Sequence, residues 1–327
     1  MKCVFGPVPS RRLGQSLGID PIPLKTCNWN CVYCQLGRSK PIINQRSDYI
    51  PAREIIAQVE EALHVHKPGE IDWVTFVGSG ETTLHAGLGH MIQQVKSMTT
   101  IPVAVITNGS LFYLPEMRQE LMLADAVMPS LDAGTAHLYQ KINRPHPHLD
   151  YDAYIAGLAQ FRQQYKGKFW LEVMLIKGLN DTPGALQEIA GKINLIHPDE
   201  IHLLLPTRPP AESWVKPADE EGVHLAQMIL GSTSKIFHPI KGSFDLSGAD
   251  SLFHAVISII TRHPMKESEL LDALKCFSQK EMDELMTALK DSGEAQVVER
   301  YGERYWSAFP AQYSSKPTDD QMDKIQK

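Results

Sequence analysis

Three cysteines fall within eight residues of one another, in the run Lys25-Thr26-Cys27-Asn28-Trp29-Asn30-Cys31-Val32-Tyr33-Cys34. Disulfides across such short spacings would be strained, whereas a C-x3-C-x2-C loop can turn three thiolates toward one centre. A four-iron cluster held by only three thiolates keeps one iron open to a further ligand, such as the amine and carboxylate of an amino acid. An electron passed from that cluster into a bound sulfonium would break a carbon–sulfur bond. Zinc is the competing chemistry. A structural zinc site takes four ligands, often as two separated C-x2-C pairs. No second pair is present here, although Cys3 or a histidine could complete a set of four. Spacing alone leaves both open. Cys276, isolated in an apolar helical stretch, reads as core packing, and Cys3 takes no assignment.

The elements around this loop alternate. Short runs rich in Val, Ile and Leu occur at 16–23, 73–78, 102–107, 126–131, 169–176, 200–205 and 235–240, the composition of strands buried on both faces. Amphipathic helix-length stretches separate them at 52–66, 84–97, 115–123, 152–165, 183–196 and 219–230, with start signals such as Pro51 and Thr182-Pro183. Repeated strand–helix units dictate an α/β fold with a parallel sheet, either doubly wound or a full or partial (βα) barrel.

Polar clusters close several of these strands. Gly78-Ser79-Gly80-Glu81 follows the second, Thr107-Asn108-Gly109 the third, Ser130-Leu131-Asp132 the fourth and Pro206-Thr207-Arg208 the sixth. Each alone could be a turn; their shared position at strand C-terminal ends, where barrel enzymes bind ligands, points to a site. The GSGE run lacks the Lys-Ser/Thr of a phosphate loop and the spacing of a dinucleotide fingerprint. Glu172 and Lys177 lie on or just past the fifth strand, one read as an ion-paired group and the other as solvated. Arg11, Arg12, Arg144, His146 and Arg208 are the cations that could meet an anionic substrate.

After about residue 245 the pattern changes to helices at 250–262 and 267–275. A third helix opens on the Ser278/Glu281 capping box and ends at Gly293, and two strands then join at Tyr301-Gly302. This suggests a winged-helix-like domain. Between 250 and 310 eleven Asp and Glu face seven Lys and Arg, the wrong sign for gripping phosphates, so DNA is not the expected partner and a protein partner is. The expected division is 1–245, 250–310 and a flexible tail at 311–327. The chain of 327 residues carries a formal charge of -6 and 21% charged residues, which argues against non-specific nucleic-acid or anionic-membrane binding. No apolar run reaches the roughly 20 residues of a membrane span, and no export signal is evident at the N-terminus. Clustered thiols suit a reducing compartment, hence the cytoplasm.

The C-x3-C-x-aromatic-C run after a first strand resembles the radical S-adenosylmethionine superfamily. The flanking GPVPSRRLGQSLGID and CVYCQLGR look like a branch of Fe–S oxidoreductases related to the enzymes of wyosine-base synthesis. That resemblance implies a partial (βα)6-type barrel followed by the small winged-helix-like domain. It also implies a 4Fe-4S cluster on Cys27, Cys31 and Cys34 that reductively cleaves S-adenosylmethionine to a 5′-deoxyadenosyl radical. Tyr33 stands at the aromatic position near the adenine. GSGE (Gly78, Ser79, Gly80, Glu81) resembles the motif that meets the methionyl amine, with one inserted position. Asn108, Ser130 and Asp132 match positions for the ribose or methionyl carboxylate. Flavodoxin or ferredoxin is the implied electron donor. A wyosine-like reaction on tRNA meets the shortage of cysteines for a second cluster. A glycyl-radical activase and a zinc-stabilised winged helix that binds nucleic acid as a regulator compete with it.

Overall fold

Strands buried on both faces leave their mark in composition, and the computed structural model, which describes residues 2–10, 12–237 and 251–314, has a strand at each of the seven apolar runs. The chain opens with β1 (Val4–Ser10) and β2 (Gly14–Ile19), an antiparallel pair. It continues through α1 (Ala52–Val65), β3 (Trp73–Phe76), a 3-10 turn at Thr82–Leu84, α2 (Leu88–Met98) and β4 (Val103–Thr107). Then follow α3 (Pro115–Leu121), β5 (Ala126–Pro129), α4 (Ala136–Ile142), α5 (Tyr151–Gln164) and β6 (Lys168–Met174). The run closes with α6 (Pro183–Ile196), β7 (Glu200–Leu204), α7 (Glu220–Leu230) and β8 (Ser234–Ile236). All eight strands form one sheet in chain order, with β2 to β8 parallel.

That order decides between the two architectures left open by the sequence. A doubly wound sheet reverses direction at a switch point, whereas here every crossover returns to the next position along the sheet. Val74, Phe76, Val103, Val105, Val127 and Met128 are fully buried, as the non-alternating strand runs required. Helix starts follow local chemistry. The hydroxyl of Thr182 accepts the Ala185 amide ahead of Pro183, and the Asp150 and Asp219 side chains cap α5 and α7 in the same way. β1 escaped the sequence reading because Pro7 and Pro9 interrupt it; both are tolerated on an edge strand.

The chain divides into two compact units. The first comprises Met1–Asn30, Ser39–Leu205 and Pro217–Gly242; the second comprises Cys31–Arg38, Pro206–Lys216 and Ser243–Lys327. In the second lie α8 (Leu252–Arg262), β9 (Met265–Lys266), α9 (Glu267–Ala273), α10 (Gln279–Asp291), β10 (Ala295–Arg300) and β11 (Glu303–Ala308). The three strands form an antiparallel sheet in the order β10-β11-β9. The Ser278/Glu281 capping box is present, and Tyr301 and Gly302 both have positive φ, 54° and 75°, as a two-residue hairpin turn needs. Val256, Ile260, Leu270, Leu274, Leu285, Leu289 and Trp306 make this unit's core. Cys276 does not join it. It is exposed in the turn that follows α9, where Leu274 and Phe277 supply the contacts to the core instead. The last residues of the strand expected at 235–240, and 315–327 of the expected tail, lie outside the described residues. Among the described residues no helix is long and apolar enough to cross a membrane.

Two glycines in helices give opposite expectations. A Cβ at Gly157 in α5 would stand 2.5 Å from the Phe112 carbonyl carbon, while nothing lies within 4 Å of one at Gly191 in α6. Gly157→Ala therefore destabilises by about 1–3 kcal/mol through overpacking. Gly191→Ala stabilises by roughly 0.5–1 kcal/mol through the entropy of the unfolded chain. Denaturant unfolding of the two variants checks the reversal of sign.

Candidate functional site

The chain leaves β2 at Asp20, whose buried carboxylate accepts the Ser79 amide at 3.0 Å and the Ser79 hydroxyl at 2.5 Å. The Ser79 carbonyl in turn accepts the Lys25 amide at 2.6 Å, and the Thr26 carbonyl accepts the Glu81 amide at 2.8 Å. The GSGE loop and the entry to the cysteine run are thus laced together in the manner of paired strands. Glycine at position 80 makes this approach possible, since a Cβ there would stand 2.0 Å from the Thr26 carbonyl oxygen. Gly78 is similarly close to Ile22, at 2.9 Å for a Cβ.

Glu81 faces the third strand end rather than an open space. Its buried carboxylate accepts the hydroxyl and amide of Thr83, the Thr107 hydroxyl at 2.5 Å and the Asn108 amide at 2.6 Å. Burial nonetheless pushes its carboxyl above the ordinary glutamate range, against the pull of those donors. Asn108 passes the constraint on, donating from its side-chain amide to Asn28 Oδ1 at 2.8 Å. Asn28 is fully buried within the cysteine run. It also donates to Asn44 Oδ1 at 3.0 Å and to the Ser110 hydroxyl at 2.8 Å, while its carbonyl accepts the His146 amide at 2.8 Å. The sequence reading passed over Asn28; an amide lodged between a motif cysteine and a tryptophan was its only signal.

Trp29 anchors the same stretch. Its ring packs edge-on against Tyr139 and Tyr154, with centroids 5.3 and 5.7 Å away, and its backbone bridges to Pro145. The Tyr154 hydroxyl donates to the carbonyl of half-buried Ser130. Asp132 is buried; its carboxylate accepts the Asn143 amide at 2.7 Å and the Met174 backbone amide at 2.8 Å, joining the ends of β5 and β6. Glu172 is ion-paired with Arg12. Lys177 reaches Asp219 at 2.6 Å on the exposed surface. Cys3 is buried beside β1, with its amide on Gln58 at 2.7 Å. Arg11 lies outside the described residues. Arg144, at φ 46°, and His146 sit half-buried on the loop that meets Asn28 and Asn30.

Cys27 belongs to the first unit, and Cys31, Tyr33, Cys34 and Arg208 to the second. The Cys34 amide donates to the Cys31 carbonyl at 3.1 Å, and the Gly37 amide to the Cys34 carbonyl at 3.1 Å, two successive tight turns. Arg208 is turned within its own unit, onto His263 Nδ1 at 2.9 Å and Gln35 Oε1 at 3.4 Å. The three motif cysteines are half-buried and none is in a disulfide. Among the described residues no three His, Cys, Asp or Glu side chains are gathered in ligand geometry. The donor set itself fits a cluster: three thiols outside any disulfide at C-x3-C-x2-C spacing, the first of them next to a stretch laced to a glycine loop. The buried Thr82 hydroxyl beside that loop has no hydrogen-bond partner among the described residues.

Because the folded Glu81 carboxyl lies above its ordinary value of 4.5, its contribution to stability is complete below that pH and is lost as the pH rises through the folded value. Glu81→Gln would set an amide against the Asn108 N–H donor, at a cost of about 1–3 kcal/mol near pH 5. The gap from wild type is expected to narrow as pH rises. Urea unfolding over a pH series measures it, and a gap that widens with pH contradicts this account.

A family model described as the radical SAM superfamily matches residues 22–188, a stretch that contains the three cysteines and the GSGE, Asn108, Ser130 and Asp132 positions. A UPF0026 protein of Methanocaldococcus jannaschii is 32% identical over 279 residues, which is 84% of this chain and 86% of that protein. The GTPase Obg of Brachyspira hyodysenteriae is 44% identical over 235 residues, 72% of this chain. The match takes in only 34% of that longer relative. Among solved structures, a radical SAM methyltransferase from Sphaerobacter thermophilus shares the fold at 15% identity. Its TM-score is 0.51, over 68% of this chain and 66% of that one. The chain belongs to the radical SAM superfamily, a group of enzymes that work with S-adenosylmethionine and an iron–sulfur cluster.

Proposed function

We propose that this protein holds a 4Fe-4S cluster on Cys27, Cys31 and Cys34 and uses it to cleave S-adenosylmethionine. The observation that carries the reading is the double hydrogen bond between the cysteine run and the GSGE loop, with Gly80 pressed on Thr26. A cluster held by these cysteines and given one electron by flavodoxin or ferredoxin would supply the reductive cleavage of S-adenosylmethionine to methionine and a 5′-deoxyadenosyl radical, the species that would take a hydrogen atom from the substrate. The chain's own residues bind and orient. In this reading the GSGE backbone and the Thr82 hydroxyl receive the methionyl group, the Tyr33 backbone the adenine, and Asn108 and Ser130 the ribose and carboxylate. Glu81 and Asp132 act through the loops they tie.

Arg144 and His146, half-buried on the loop that meets Asn28 and Asn30, are the cations this reading assigns to an anionic substrate. The barrel wall is read as a partial (βα)6 barrel. The C-terminal order of helix, strand, two helices and hairpin is read as a winged helix used for protein contact. Its acidic balance supports that use over DNA binding. Cysteines outside disulfides support a cytoplasmic setting.

Protein purified and reconstituted without oxygen is expected to be brown and to release 5′-deoxyadenosine from S-adenosylmethionine and dithionite. Cys34→Ala should abolish both the colour and the product. A colourless protein carrying one zinc, or a cluster-loaded one that forms no 5′-deoxyadenosine, defeats the reading.

A further inference from the structure

Two of the three proposed ligands lie in a segment that packs as part of the C-terminal unit. Segment 31–38 has no helix or strand of its own, so neighbours must fix its backbone. Gln35 is gripped from two sides. Its carbonyl accepts the Tyr313 hydroxyl at 2.7 Å, and its side-chain amide donates to the Arg262 carbonyl at 3.0 Å. The Tyr313 hydroxyl shares a further hydrogen bond of 2.7 Å with Ser307, which is buried on β11. Arg38 is gripped likewise. Its backbone amide donates to the Gln312 carbonyl at 2.6 Å, and its guanidinium forms a two-point pair with buried Glu212 at 2.9 and 2.8 Å. The Glu212 amide then donates to the Val32 carbonyl at 3.0 Å. Between these two points Gly37, at φ 76°, lets the Gln312 backbone approach to within 2.5 Å of where a Cβ would stand. The residues that grip flank or separate Cys31 and Cys34; none of these bonds is made by a cysteine side chain.

We propose that the strap 311–314, with Glu212, is a positioning device for the cysteine loop: Tyr313 through Gln35, and Gln312 with Glu212 through Arg38, hold Cys31 and Cys34 in ligand register. This rests on the cluster assignment made above and deepens it, making retention of the cluster a property of the C-terminal unit. Groups that orient metal ligands from behind typically change metal affinity ten- to a hundredfold when removed.

Tyr301→Phe is the internal control. That hydroxyl donates to the Val215 carbonyl at 3.3 Å, a bond of the same kind within the same unit but off the cysteine segment. Reconstituted wild type, Tyr313→Phe and Tyr301→Phe are held without oxygen in excess EDTA while the visible absorbance of the cluster is followed. Spectra of the dithionite-reduced cluster by electron paramagnetic resonance and melting of the cluster-free proteins are recorded in parallel. Tyr313→Phe is expected to lose its cluster about tenfold faster, with an altered resonance signal and an unchanged cluster-free melting point, while Tyr301→Phe behaves as wild type. Equal rates for Tyr313→Phe and wild type, or equal acceleration in both variants, overturn the proposal. Should Tyr313→Phe melt early, Arg38→Lys, which keeps the charge and loses the two-point geometry, takes its place with the same expectation. A wild type that takes up no cluster is a different failure; it removes the underlying assignment.

Discussion

A buried side-chain amide must find partners for its donors and its acceptor, because each one left unmet costs about 1–3 kcal/mol. Asn28, fully buried one residue past Cys27, meets that demand from three directions at once: Asn108, Ser110 and Asn44. The stretch around Asn28 therefore cannot shift without breaking bonds to the loop after β4 and to Asn44. Trp29 adds the apolar half of the same constraint, edge-on between two tyrosines. Position 27 is fixed by its neighbours. The Trp29 amide donates to its sulfur at 3.4 Å, one more contact that sets its direction.

The strand ends are joined by a succession of buried carboxylates. Asp20 after β2 holds Ser79; Glu81 after β3 holds Thr107 and Asn108; Asp132 after β5 holds Asn143 and the Met174 amide. Buried carboxyl oxygens need donors, and each of these is surrounded by amides and hydroxyls. The parallel strands present their C-terminal ends at one edge, where the loops would otherwise be free to move. Acids spent on bracing that edge have their oxygens occupied by neighbouring loops.

Much of this was legible in the sequence, and what was not has definite causes. The seven apolar runs became strands because burial on both faces allows little polar alternation, and the clusters at 78–81, 107–109 and 130–132 followed from where those strands stop. The direction of a side chain is another matter. GSGE reads the same whether its glutamate points at a ligand or at the next loop, and only Thr107 and Asn108 decide it. Arg12 resembled a substrate cation until Glu172 proved to be beside it. Cys276 looked apolar by company, yet α9 stops at Ala273 and leaves it exposed in the turn that follows. The bond between Tyr313 and Gln35 spans 278 positions, a separation at which no local pattern carries information.

The second unit shows how such distant parts can be joined without sequence signals. Three of its tyrosine hydroxyls donate to backbone carbonyls of the segments it gathers: Tyr301 to Val215, Tyr305 to Thr207 and Tyr313 to Gln35. A carbonyl can only accept, so the bond exists only while the phenol keeps its proton. Burial raises all three above the ordinary tyrosine value, with Tyr305 pushed up to about 12. The phenols therefore remain donors at neutral pH and well above it. Since a backbone carbonyl is present whatever the side chain, these three bonds constrain the tyrosines that donate and not the residue types at 35, 207 and 215.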